Sequence, residues 1–406
     1  MTPPPEVPRR VDIDLTRFSY GQQRAWFTGP VVVIGLFAWF FVVVLSAALS
    51  PALAVTLFAA TVLAIVIGFI VTTRQRLTRS TSGRELPLLD PRYAGERAPP
   101  LPETLGDAVR AVDAARVASR ATMPVPNESA TGAAASQRVR ATIYIVLGVL
   151  LPLIGIPLLI ALKLGGALLG PGVVVVIIGM YTLFTRARRV TQKSAAIATQ
   201  DDPRPPILFL RSFQDDRVRV NERVTMAGLP SVQGLRLEEA LGSLLGGFGP
   251  FIAVGEPGEG LPQLGAARAY FSEGEWQEAV LQWIRQARLI VLLCGPTRWV
   301  HWEMQNTIAN GRLDRLLLVL PPGRKPGSSA AADRQERWNN IVASLAATPY
   351  APALREVDIA DVLVVQFRPD GSLLVFRSRY DLAQDYGLAL TLALHLAAAG
   401  PDAVSA

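Results

Sequence analysis

Two long apolar blocks dominate the first half of the chain. Residues 29–72 run 44 positions without Asp, Glu, Lys or Arg, and 141–185 contain Lys163 as their one charged residue. A helix crossing a ~30 Å hydrocarbon core needs about 20 apolar residues, so each block predicts two spans and a tight turn. The turns are expected at Ser50-Pro51 and around Lys163-Leu164-Gly165-Gly166, where Pro and Gly interrupt the helical run. After Ile207 the pattern changes to short apolar runs: 207–210, 251–254, 289–294 and 316–320. Runs of this length bounded by Gly and Pro suit strands buried on both faces of a parallel sheet. Helix-period segments lie between and after them at 235–245, 275–287, 299–310 and 334–347. A further strand pair, 362–367 and 372–377, flanks the hairpin signal Pro369-Asp370-Gly371, and a last helix is expected from about Tyr380 to Ala398.

The expected architecture is an α-helical membrane region of four transmembrane helices followed by a doubly wound α/β domain with a mainly parallel sheet. Its boundaries are a cytoplasmic tail over 1–28, a transmembrane hairpin over 29–72 and a basic Pro/Ala-rich loop over 73–140. A second hairpin over 141–185, a linker over 186–205 and the α/β domain over 206–400 complete the chain. The tail and the linker-like stretch 122–137 read as poorly ordered. Residues 103–121 read as a short helix, either amphipathic on the membrane surface or tethered without a partner. An apolar run ending near Ser46-Ala47-Ala48 raises a cleaved signal, but a second span follows at once and favours an uncleaved anchor.

Charge orients this plan. Four basic residues lie in the tail, eleven Arg in the central loop, and Arg186, Arg188, Arg189 and Lys193 just after the last block, against Lys163 alone on the other side. The positive-inside rule places the tail, the loop and the C-terminal half in the cytoplasm of a multi-pass inner (plasma) membrane protein. Asn127-Glu128-Ser129 is then a chance glycosylation match. Residues 1–195 carry 20 basic and 10 acidic residues, and 196–406 carry 20 and 23. The formal +7 therefore reports topology, and no nucleic-acid partner is expected. A single cysteine excludes an intramolecular disulfide, and His301 and His395 lack metal-ligand spacing, so no metal is expected. The spans hold no buried ionisable residue apart from the terminal Lys163, which argues against transport.

In open parallel sheets ligands bind beyond the carboxyl ends of the strands. Three segments follow such ends: Arg211-Ser212-Phe213-Gln214-Asp215-Asp216, the glycine-rich Gly255 to Gly260, and Gly295-Pro296-Thr297-Arg298-Trp299-Val300-His301-Trp302-Glu303. The order and spacing resemble the Toll/interleukin-receptor (TIR) family. A strand ending Leu-Arg-Ser-Phe before Asp215 is similar to its first box, and Gly274-Glu275-Trp276 with the following helix to its central segment. Trp299 to Glu303 is similar to the Trp-x-x-x-Glu that opens the helix after the third strand. The resemblance covers about 207–325. Three departures mark a divergent branch: the insertion-like stretch 217–234, Gly295-Pro296-Thr297 in place of a serine-rich turn, and the hairpin at 362–377.

The resemblance implies an enzyme that cleaves the nicotinamide–ribose bond of NAD, a substrate and not a resident cofactor, with Glu303 as the catalytic residue. A fixed carboxylate near the ribose would stabilise an oxocarbenium-like cation, and nicotinamide leaves as a neutral base. Arg211, Ser212 and Phe213, Gly255 and Gly258, and Arg268, Trp299 and Trp302 are the candidate NAD-binding residues. Their aromatic rings would stack, while backbone amides and Arg would meet the pyrophosphate. Each has a structural alternative. The alternatives are Glu303 serving the helix dipole, the two Trp filling the core, Arg211 pairing with Asp215 or Asp216, and the glycines only turning the chain. The family also contains signalling adaptors that self-associate without chemistry, and bacterial members act in stress and antiphage defence.

Overall fold

The computed structural model describes residues 10–16, 105–121, 131–162, 166–220, 235–256, 261–271, 275–323, 327–369 and 371–398. The expected hairpin over 29–72 and its Ser50-Pro51 turn lie outside these residues, as does Gly258. The chain divides into two compact units, Met1–Ala121 with Leu210–Leu244 and Leu289–Ala406, and Thr122–Phe209 with Leu245–Arg288.

The first unit is a mixed sheet with helices. Strands β1 (Arg10–Asp14), β7 (Leu289–Leu293), β8 (Leu316–Val319), β9 (Val362–Phe367) and β10 (Leu373–Arg377) follow the order β1-β10-β9-β8-β7. β7 and β8 are parallel with Leu292 opposite Leu318, while β8/β9 and β9/β10 are antiparallel. The antiparallel pair is the hairpin expected from Pro369-Asp370-Gly371, and Gly371 takes a positive φ of 81° that a side chain would resist. β7 to β10 are buried on both faces, which is why β7 and β8 read as unbroken apolar runs and β9 and β10 as runs interrupted only by Gln366 and Arg377.

β1 departs from the expected disordered tail. It pairs in parallel with β10, Asp12 opposite Val375, and Leu15 N continues the ladder to Arg377 O. Asp12 is wholly buried, yet it is paired: Arg377 Nε and Arg10 Nε both donate to its carboxylate. Arg377 also reaches Asp361 at 2.5 Å. Helix α1 (Leu105–Ala121) likewise departs from the expectation of a surface or unpartnered helix. It buries Ala108 and Val112 and packs along α10 (Ala383–Ala398), the helix that follows the short α9 (Ala351–Arg355) and the β9–β10 hairpin.

The second unit opens with two long helices, α2 (Thr131–Ala161) and α3 (Gly166–Val190). α2 begins inside the stretch expected to be a flexible linker. Among the described residues, one stretch long and apolar enough to cross a membrane is found, Val139–Leu159. Ile143, Val146, Leu150, Leu153 and Ile154 of α2 and Val175, Ile177 and Ile178 of α3 are exposed. The two helices pack through glycines. A Cβ built on Gly148 would meet Phe184 at 3.4 Å, on Gly155 Val176 at 3.2 Å, on Gly172 Leu159 at 3.0 Å and on Gly179 Leu151 at 2.7 Å. These partners run in opposite directions along the two helices, so the pair is an antiparallel hairpin. Seven-residue spacing on each helix (148 and 155, 172 and 179) keeps the glycines on one seam. Such close approach brings the two backbones together and multiplies van der Waals contacts along the seam.

The stretch after α3, read as a linker, is structured. Helix α4 (Ala195–Asp201), capped by Ser194 Oγ accepting from Ile197 N, packs on β5 (Phe251–Val254) and β6 (Ala267–Ala269). β2 (Ile207–Leu210), β5 and β6 form an all-parallel set in that order, with Leu208 opposite Ile252 and Ala253 opposite Arg268. Helix α6 (Trp276–Gln286) buries Val280 and Ile284, one turn apart.

Asp12→Ala removes two charge-assisted hydrogen bonds while Arg377 keeps Asp361. It should lower the stability of the first unit by about 2 kcal/mol, measured as a shifted guanidinium midpoint. An unshifted midpoint would show that β1 adds nothing to the sheet.

Candidate functional site

The chain beyond β2 turns at once. Ser212 Oγ accepts from Gln214 N and caps a short 3-10 turn, Phe213–Arg217, which brings Asp215 and Asp216 inside. A two-strand ribbon, β3 (Arg219–Val220) and β4 (Leu235–Arg236), leads to helix α5 (Leu237–Leu245), which carries Glu238 in its first turn. Arg211 lies between these acids, 2.6 Å from Asp216 Oδ1 and 3.3 Å from Glu238 Oε2, with its side chain 2% exposed. Its guanidinium is also 5.9 Å from the centre of the Phe213 ring. The partner is Asp216, one of the two that sequence left open, joined by Glu238, which sequence reasoning missed.

Asp215 is held by a different arginine. Arg337, on helix α8 (Ser329–Ser344), places Nη1 2.8 and 2.9 Å from the two Asp215 oxygens and 3.2 Å from Cys294 O. Its Nε donates to Asp333 one turn earlier at 2.7 Å. Burial raises Asp215 above the usual carboxylate range, with Arg337 opposing the shift. Gly295 is needed here, because a Cβ would stand 3.0 Å from Val300 and 3.2 Å from Asp215 Oδ2. Arg337 left no sequence signal, since only the fold brings it within reach of residues 43 and 122 positions away.

Helix α7 (Arg298–Ala309) starts after Thr297 and carries Trp299, Trp302 and Glu303. Trp299 is 38% exposed with Arg298 over its ring at 4.5 Å, so it does not fill the core; Trp302 is half-buried. Glu303 lies in the second turn, beyond the reach of the helix-dipole explanation. It is 6% exposed, and its Oε2 is buried without a hydrogen-bond partner among the described residues. Desolvation pushes its carboxyl up to about 8, opposed by the positive charge of Arg211. At neutral pH Glu303 is therefore mostly a neutral acid.

α7 is pinned to α8. Gln305 Nε2 donates to Ser344 O at 3.2 Å, and His301 Nδ1 lies 2.6 Å from Ser344 Oγ. Ser344 Oγ also lies 2.9 Å from Asn340 O, one turn earlier on α8.

In the first unit, then, the fold gathers Arg211, Ser212, Phe213, Trp299, Trp302 and Glu303 on segments that follow strand ends. Gly255 and Arg268 belong to the second unit. There Gly255 N donates to Ala269 O at 2.8 Å, and the Tyr270 ring lies 2.4 Å from where a Gly255 Cβ would be. Arg268 is 1% exposed and donates to Val254 O at 3.4 Å. Phe213, Tyr270 and Trp299 are all exposed aromatics that follow strand ends, and Tyr270 escaped sequence reasoning because no motif contains it. No family model matches the chain, and neither the curated proteins nor the solved structures offer a significant match.

A carboxyl raised by folding favours the folded state only while it holds its proton. The unfolded glutamate ionises near 4.5 and the folded one near 8, so the folded form binds the extra proton between these values. The Glu303 contribution is thus complete below about 4.5 and is lost as pH rises to about 8. Glu303→Gln should remove a stability decline of a few kcal/mol across this window. Denaturation of both proteins at several pH values measures the difference; parallel curves would mean that Glu303 is solvated.

Proposed function

We propose that the chain is a multi-pass plasma-membrane signalling protein whose cytosolic TIR-like domain cleaves the N-glycosidic bond of NAD. The observation that carries this reading is Glu303, a desolvated carboxyl beside Arg211 on the helix that follows β7. Strongly perturbed carboxyls beyond strand ends are enriched at catalytic sites. In the reaction the bond from ribose C1′ to the pyridinium nitrogen breaks, and its electron pair neutralises nicotinamide as it leaves. Ionised Glu303 would stabilise the ribose cation, and water would add at C1′ and lose a proton. Phe213 and Trp299 offer exposed ring faces to the substrate.

The membrane reading rests on the two apolar blocks, each long enough for two spans, and on the exposed apolar faces of α2 and α3. The cytosolic orientation rests on the basic residues that flank the blocks. Packing supports it: β1 and α1 belong to the same unit as β7 to β10.

A second reading is a self-associating adaptor without chemistry, in stress or defence signalling. Two observations favour it: Glu303 is enclosed, and Arg211 is already committed to Asp216 and Glu238. The full chain in liposomes, incubated with NAD and assayed for nicotinamide, separates the two. The enzyme reading expects release that rises with pH to a plateau above about 8, where Glu303 is ionised. Glu303→Gln should reduce it on the order of 10²–10³-fold, the usual scale for losing an electrostatic stabiliser. No release in clustered or dispersed samples, with self-association that survives Glu303→Ala, would establish the adaptor instead.

A further inference from the structure

The connection between α3 and the small parallel sheet has no slack. α3 ends at Val190, and Gln192 N still bonds to Arg189 O at 3.3 Å. Arg189 then grips the loop before β6: Nε donates to Pro262 O at 2.9 Å and Nη2 to Leu261 O at 2.5 Å. Gln192 Nε2 lies 3.2 Å from Gly265 O and 3.3 Å from Ala266 O. Two residues later Ser194 forms a parallel bridge with Arg268, within β6 itself. From β6 the path reaches the neighbouring strand end. Arg268 donates to Val254 O, Gly255 N donates to Ala269 O, and the Tyr270 ring fills the space over Gly255.

On the β6 side these contacts are made by main-chain carbonyls and a glycine without room for a methyl group, and on the α3 side by the Arg189 and Gln192 side chains, four bonds acting together. A tilt of α3 must either break them or carry β6 with it. Helices respond to bilayer thickness by tilting. We propose that α3 is the input lever of the protein. Tilt of the α2–α3 hairpin in the bilayer is passed through Arg189, Gln192 and Ser194 to β6, and from there to the end of β5 at Gly255. The inference rests on the membrane reading of α2 and α3 and is independent of any reaction at Glu303.

The test uses the full chain in liposomes of short-chain or long-chain phosphatidylcholine, washed with carbonate, with hydrogen exchange read on peptides covering 251–256 and 261–271. Wild type should exchange at these peptides at rates that differ between the bilayers by about fivefold, the factor for a hydrogen bond worth ~1 kcal/mol. Peptides over β8 should exchange equally in both. Arg189→Ala with Gln192→Ala should abolish the difference. Lys193→Ala, whose exposed side chain pairs with Asp201 and not with the loop, should retain it. Equal exchange of the wild type in both bilayers overturns the lever, and this comparison stands even if the double variant fails to fold. A difference that survives in the double variant, or vanishes in Lys193→Ala, also overturns it. A chain removed by carbonate overturns the membrane reading and the lever together, whereas an integrated but unresponsive chain overturns the lever alone.

Discussion

The pairing of Asp12 with Arg377 joins positions 365 residues apart, and the first unit depends on it. A carboxylate without exposure is tolerated on β1 only because two guanidiniums meet it. The pair also fixes register: shifting β1 by one residue would turn Asp12 to the opposite face and leave Arg377 facing apolar neighbours. With α1 against α10, this makes the unit a composite of segments that flank the first apolar block. A fragment that starts at residue 196 would lack both and expose the edge of β10.

The acidic centre shows a second constraint. Arg211 and Arg337 each take one of the adjacent acids Asp215 and Asp216, which lets a turn with two buried carboxylates follow β2. Glu303 Oε2 has no hydrogen-bond partner among the described residues, and burial outweighs the opposing charge of Arg211 in setting its protonation. A neutral glutamic acid cannot steady a cation, so the enclosed arrangement is a resting one under the catalytic reading. Under the adaptor reading it is a permanent feature of the core.

Legibility followed the origin of each signal. β2, β5 and β9 begin and end where their apolar runs do, because burial on both faces writes itself into composition. β1 and β6 were illegible because each carries a buried charge, Asp12 or Arg268, that only a distant partner excuses. The helix bearing Glu303 was legible from its period, and Arg211 from its place after a strand. The enclosure of Glu303 was not legible, nor were Glu238 and Arg337 as counter-charges, since those depend on how helices close over the strand ends. The exposure of Trp299 ran against the usual packing of paired tryptophans, and its neighbour Arg298 supplies the reason by covering one ring face.

The placement of β1 also sets a schedule for biogenesis. Its partner β10 emerges from the ribosome roughly 360 residues later, a delay on the order of tens of seconds at ordinary translation speeds. Throughout that interval Val11, Ile13 and Leu15 have no strand to join. The sheet can close only after release of nearly the whole polypeptide, so a nascent chain stalled within β8 or β9 would present an unshielded β1 to chaperones and proteases.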